Sequence, residues 1–279
     1  MCGFVGFTNY IKDDSTVLQK MMDSIVHRGP DSAGCYVDGD VAMGFRRLSI
    51  IDLAEGNQPM FNEDESLVLT FNGEIYNFKD LREELIAEGH VFRNHADSEV
   101  LLHGYEQWGE DMVKKLRGMF AFVIFNKNDG TIFGARDMFG IKPFYYTLTD
   151  NSFIFGSEIK AFLHHPEFEK QLNEEALAHY LSFQYSPTEE TFFKGVFKLP
   201  PAHYFTFKNG EIKKTRYFRP DFKPVPGVLD FYADEVDKTV RESVAAHKIA
   251  DVERSARFCQ AVSTQATLPR RRMLTKPLR

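Results

Sequence analysis

The chain has 279 residues, 43% hydrophobic and 27% charged, enough for one large domain or two small ones and too apolar for a disordered segment. A formal net charge of −6, with both signs mixed through most of the length, leaves no basic face for nucleic acid. Apolar runs stop short of the roughly 20 residues a membrane span needs, and no charged region leads into a long apolar stretch at the N-terminus, so a cytoplasmic protein without nucleic-acid or membrane partners is expected.

The opening Cys2-Gly3-Phe4-Val5-Gly6-Phe7 alternates small and bulky residues as a strand does. Val17, Leu18, Met21, Met22, Ile25 and Val26 then recur at helical spacing until Gly29-Pro30 stops the pattern. Asp38-Gly39 separates the alternations Gly34 to Val37 and Val41 to Ile51, a hairpin signal. Leu67 to Phe71 and Ile75-Tyr76 flank Asn72-Gly73, which reads as a second turn. Helical spacing returns at Lys79 to Glu88 and Ser98 to Leu116, followed by a β-rich stretch from Met119 to Gly156. Helices and strands come in blocks, so the fold class is α+β with largely antiparallel sheets. The segment 219–228, with three prolines, reads as a linker, and Leu229 to Val252 as a charged amphipathic helix. From Arg254 to Arg279 there are basic residues and no acidic one, with no sustained period, and this tail is not expected to fold.

Three cysteines, Cys2, Cys35 and Cys259, are too few and scattered for a disulfide framework or a zinc site, and each is judged as a thiol. Loss of Met1 would leave Cys2 with a free α-amine of pKa about 7.7–8.0 beside its thiol, a base and a nucleophile in one residue. Its other reading is an ordinary cysteine at position two. Asn72-Gly73 can present a side-chain amide and a backbone N–H to an oxyanion, or simply turn a hairpin. Arg47 follows Arg46 within an apolar strand and suits an α-carboxylate or a structural ion pair, while Asp97 suits an α-ammonium or the N-terminus of the next helix. The nine histidines show no metal-ligand spacing and no Gly-rich phosphate loop is visible, so neither a metal nor a cofactor is expected in this chain.

In one order stand Met1-Cys2-Gly3, His27-Arg28-Gly29-Pro30-Asp31, Arg47-Leu48-Ser49-Ile50-Ile51-Asp52, Phe71-Asn72-Gly73-Glu74-Ile75-Tyr76-Asn77 and Asp97-Ser98-Glu99. Gly118 to Phe122, Ala135-Arg136-Asp137, Gly140-Ile141-Lys142-Pro143 and Ser157-Glu158-Ile159-Lys160-Ala161 continue the series. Through about residue 253 this pattern resembles the class II glutamine amidotransferases of the asparagine synthetase type. The resemblance implies a four-layer αββα N-terminal-nucleophile hydrolase sandwich as the glutaminase domain, over residues 2–218. It also implies glutamine as substrate, Cys2 as nucleophile, Asn72 and Gly73 as oxyanion hole, Arg47 as ligand of the glutamine carboxylate, Asp97 with Glu74 at its α-amine, and Ile50 and Ile51 as further glutamine-binding positions. A homodimer is left open, as is an acceptor other than aspartate or a non-catalytic product.

The pattern departs from the family at its end. Where the family passes from a helix like 229–253 into a Ser-Gly-Gly-x-Asp-Ser loop for ATP pyrophosphate, Asp251-Val252-Glu253 is followed by Arg254-Ser255-Ala256. Back-translation of residues 258–267 permits Leu-Ser-Gly-Gly-Val-Asp-Ser-Ser-Tyr in a shifted frame. A truncated or frame-shifted synthetase half is therefore expected, with ATP and Mg belonging only to that missing part.

Overall fold

The computed structural model describes residues 2–9, 13–48 and 56–247. Its centre is two six-stranded antiparallel sheets. One has the order β10-β8-β9-β1-β3-β2, built from β1 (Gly3–Thr8), β2 (Ser32–Val37), β3 (Val41–Arg47), β8 (Tyr145–Leu148), β9 (Phe153–Gly156) and β10 (Val196–Lys198). The other has the order β12-β11-β7-β6-β5-β4, from β4 (Met60–Phe61), β5 (Leu67–Ile75), β6 (Gly118–Asn126), β7 (Thr131–Arg136), β11 (His203–Lys208) and β12 (Glu211–Arg216).

Side-chain alternation divides the interior into three cores. In β6, Ala121, Val123 and Phe125 enter the core between the sheets, with Phe4, Met43 and Phe45 from the facing sheet. Phe120, Phe122 and Ile124 point the other way, onto α2 (Phe78–Ala87) and α3 (Glu99–Trp108) through Leu81, Leu85, Val100 and Leu101. On the far side of the first sheet, Val5, Phe7 and Ala42 pack on Leu18, Met21 and Met22 of α1 (Asp14–Ser24). The layers are thus helix, sheet, sheet, helix, as the sequence resemblance implies. Both sheets are buried on two faces, which explains the many phenylalanines: Phe153 stacks on Phe207 at 4.6 Å and Phe144 meets Phe205 edge-on at 5.3 Å.

The expected Asp38-Gly39 hairpin forms, with Gly39 at φ +93° between β2 and β3. The turn expected at Asn72-Gly73 does not. Both residues lie inside the nine-residue strand β5, paired with β6 through Asn72↔Ala121 and Gly73↔Phe120. Glycine is needed at 73 for close approach, since a Cβ there would stand 2.3 Å from the Met119 carbonyl oxygen. The Asn-Gly pair that does turn a hairpin is Asn209-Gly210, both at positive φ, between β11 and β12.

The helix expected over 98–116 breaks at Gly109 (φ +57°), with a 3-10 segment Gly109–Lys114 beyond. Helix α4 (Glu174–Phe183), its N-terminus capped by the Asn173 side chain, escaped the sequence reading, as did β10 to β12. Residues 219–228 are exposed and irregular. Helix α5 (Leu229–Ala246) follows with no buried residue; the expected remainder to Val252 and the basic tail lie outside the described residues. Among the described residues no helix is long and apolar enough to cross a membrane.

Candidate active site

One pocket, opening at the end of the inter-sheet layer, is lined by Cys2, Arg47, Asn72, Gly73, Glu74 and Asp97, with Leu48, Gln58, Ser98 and Lys142 among its other walls. Strand alternation explains the convergence. Arg47 continues the Val41, Met43, Phe45 face of β3 that forms the inter-sheet core, and Asn72 and Glu74 continue the Val68 face of β5. Cys2 lies one residue beyond the Gly3–Arg46 pair of β1 and β3 and packs against the same core. Six positions singled out in the sequence therefore meet. Ile50 and Ile51 lie outside the described residues.

The two adjacent arginines separate by face. Arg46 turns outward to Asp23 and the Met22 carbonyl of α1, an ordinary structural pair. Arg47 is 5% exposed and donates from Nη1 to Asn57 Oδ1 at 3.1 Å.

Cys2 is held from both ends. Arg28 Nε donates to its carbonyl at 2.9 Å and pairs through Nη1 with Glu158 at 3.0 Å, which His27 also contacts at 2.8 Å. The His27 to Asp31 and Ser157 to Ala161 words, silent on chemistry in the sequence, thus meet to anchor the N-terminal strand. Gly29 is required there because a Cβ would stand 2.3 Å from the Arg46 carbonyl carbon. The Cys2 Sγ accepts the Leu48 N–H at 3.3 Å and lies 3.4 Å from the Leu48 carbonyl. Burial pushes the thiol's pKa up, opposed by the Leu48 hydrogen bond and the nearby Arg47 and Lys142 cations. A thiol so placed rests protonated and needs a base to become a nucleophile.

In the same pocket as Cys2, Asn72 is buried, and its Nδ2 has no hydrogen-bond partner among the described residues. A buried amide donor left unpaired beside a thiol is a donor held ready for an incoming acceptor. Asp97 does not cap α3 with its side chain. It accepts the Ile75 N–H at 2.8 Å, which ties the loop before α3 to the end of β5. Burial, with the Glu74 carboxylate beside it, pushes the Asp97 pKa up to about 7.

Lys142 went unassigned in the sequence reading although its Gly-Ile-Lys-Pro word was noted. It is buried in the pocket wall at the end of a loop organised by Asp137, whose carboxylate accepts N–H groups from Phe120, Phe139, Ile141 and Lys142 at 2.9–3.2 Å. Burial lowers the Lys142 pKa, against the raising influence of Glu74 and Cys2. Gln58 was also missed: its side chain pairs with both backbone groups of Phe71, extending the sheet edge into the pocket. Asp137→Ala strands these amides, and a loss of about 3 kcal/mol or more is expected in urea unfolding.

A family model described as a glutamine amidotransferase domain matches residues 1–218. Over 258 residues the chain is 45% identical to asparagine synthetase [glutamine-hydrolyzing] 1 of Bacillus subtilis (strain 168), covering 90% of this chain and 41% of that protein. Asparagine synthetase [glutamine-hydrolyzing] 3 of the same organism is 35% identical, covering 90% and 42%. The chain thus spans about two fifths of the length of these curated relatives. Among solved structures, glutamine phosphoribosylpyrophosphate amidotransferase from B. subtilis superposes with a TM-score of 0.59 at 19% identity, over 78% of this chain and 50% of that one. That likeness is one of fold and agrees with the four layers described above.

Proposed function

The chain belongs to the glutamine amidotransferase domain family, and from that premise we propose that the Cys2 pocket hydrolyses the side-chain amide of glutamine. The observation that carries this reading is the Asn72 Nδ2 group, without a hydrogen-bond partner among the described residues and buried in the same pocket as the Cys2 thiol.

In this reading Met1, which lies outside the described residues, is removed, and the freed α-amine takes the thiol proton. Cys2 Sγ attacks the glutamine Cδ, and the oxyanion is received by Asn72 Nδ2 and the Gly73 N–H. The C–N bond breaks as the α-ammonium returns its proton to the leaving ammonia. Water then hydrolyses the γ-glutamyl thioester to glutamate and the free thiol. Arg47 receives the substrate α-carboxylate, and Asp97 with Glu74 receives its α-ammonium. Lys142 adds positive potential where the thiolate develops. Ammonia is handed to a carboxylate acceptor, aspartate in the reading that follows the relatives' name. The pocket's thiol, amide and paired carboxylates suit an amide and an ammonium rather than a Mg-bound nucleotide, and no step is assigned to ATP here.

Steady-state ammonia release from glutamine by the purified chain tests this function. No release from a folded, Met1-processed chain would contradict it. The Asp97 carboxyl gives the assay a pH signature. Its folded pKa, near 7, is raised above its unfolded value, so its contribution to stability is full below about pH 4, declines as pH rises, and is gone above about 7. Glutamine binding needs the ionised form, so Asp97 alone is expected to lower kcat/KM by up to about tenfold per pH unit below 7, on top of the decline that the α-amine base sets. Asp97→Asn should be poor at every pH and keep only the limb set by the Cys2 α-amine, which must also be unprotonated and has an ordinary pKa of about 7.7–8.0; a profile unchanged by the substitution would remove Asp97 from ammonium binding.

A further inference from the structure

Away from the pocket, on the outer face of the second sheet, three residues far apart in sequence converge. Glu63, His90 and His103 each bring one donor atom to within 4.8 Å of the others. We propose that these three side chains bind a divalent transition metal, zinc by preference, with Glu106 completing the donor set.

The geometry suits such an ion. Tetrahedral zinc with bonds of about 2.0–2.1 Å separates its donors by roughly 3.3–3.4 Å. His103 Nδ1 stands 3.4 Å from Glu63 Oε2 and 3.0 Å from Glu106 Oε2, and His90 Nδ1 is 3.7 Å from that same Glu106 oxygen. Two imidazoles with carboxylates favour zinc over magnesium or calcium, which prefer all-oxygen shells.

The surroundings are built for a ligand role. His103 is 1% exposed, wedged by Phe92 at a ring separation of 4.5 Å. Asn62 Nδ2 donates to Glu106 Oε1 at 2.8 Å, fixing that carboxylate with its second oxygen toward the imidazoles, as outer partners of metal ligands do. Glu99 adds a third carboxylate, 3.6 Å from His103 Nε2, and is held by the Arg93 and Asn94 N–H groups. Three carboxylates around two imidazoles leave negative charge that a divalent ion balances. The Arg93 guanidinium nearby donates instead to the Glu63 carbonyl.

The ion would tie the 62–66 loop and the 90–94 segment to α3. That helix starts directly after Asp97 and Ser98, which line the catalytic pocket, so metal binding braces one pocket wall.

The test is titration of the full chain with Zn²⁺, and with Co²⁺ as the spectroscopic probe, beside His90→Gln and Glu63→Gln. One ion per chain is expected, with a four-coordinate cobalt spectrum free of thiolate charge transfer. The melting temperature should rise by roughly 5–10 °C at an ion excess of about 100 times Kd. Both variants should fold, by circular dichroism, and lose the spectrum and the shift. His103→Gln, which removes a buried side chain, is a third variant that should lose the cobalt spectrum when circular dichroism shows it folded. A thiolate band, equal binding by the folded His90→Gln and Glu63→Gln variants, or no saturable binding would overturn the proposal.

Discussion

In the Cys2→Ala variant, ammonia release from glutamine is expected to fall by at least about 10³-fold, because Cys2 is the only thiol among the described residues that line the pocket. The fold should survive. Cys2 is only partly buried at the rim of the inter-sheet core, and alanine keeps the carbonyl that Arg28 holds. Thermal unfolding followed by circular dichroism separates the two effects: a midpoint close to that of the unsubstituted chain, with activity lost, assigns the loss to chemistry. Activity retained within tenfold would remove Cys2 from the reaction.

Asn72→Ala is expected to lower kcat by about 10²–10³ with little change in KM, because the amide acts on the oxyanion rather than on bound glutamine. Stability should move the other way or hold. The Nδ2 group is buried without a partner among the described residues, so the fold carries a desolvation cost that these residues do not recover and that alanine removes. Activity that falls while the melting temperature stays level or rises is the signature of a donor kept for the transition state. A large loss of stability with kcat unchanged would make Asn72 a structural residue of β5.

The α+β class with antiparallel sheets was legible in blocks of strands separated from blocks of helices, whereas the four layers were implied only by the resemblance, because β6 is buried on both faces, sends successive residues into two different cores and reads as one continuous apolar run. The site residues were legible as types but not as places. Arg46 and Arg47 look equivalent in the sequence; only the pleat decides that one pairs with α1 and the other enters the pocket. Asn72-Gly73 was misplaced as a turn because Asn-Gly is the commonest short hairpin signal, whereas here the partner strand Gly118–Asn126 lies well beyond and the glycine answers a close backbone approach. Lys142 and Gln58 reach the pocket through loops held by bonds between side chain and backbone, from the Lys142 N–H to Asp137 and from the Phe71 N–H to Gln58, and no local periodicity announces that. The same holds for Glu63, His90 and His103, which share no ligand spacing and meet only once α3 packs on the second sheet.

The most direct test of the central claim is intact-mass and peptide analysis of the chain after treatment with a glutamine analogue whose carboxamide is replaced by an electrophilic carbon. One adduct per chain, carried by a peptide that begins at Cys2 without Met1 and blocked by excess glutamine, is the expected result. An adduct on Cys35, or none on a Met1-processed chain, would contradict an N-terminal cysteine poised to attack glutamine.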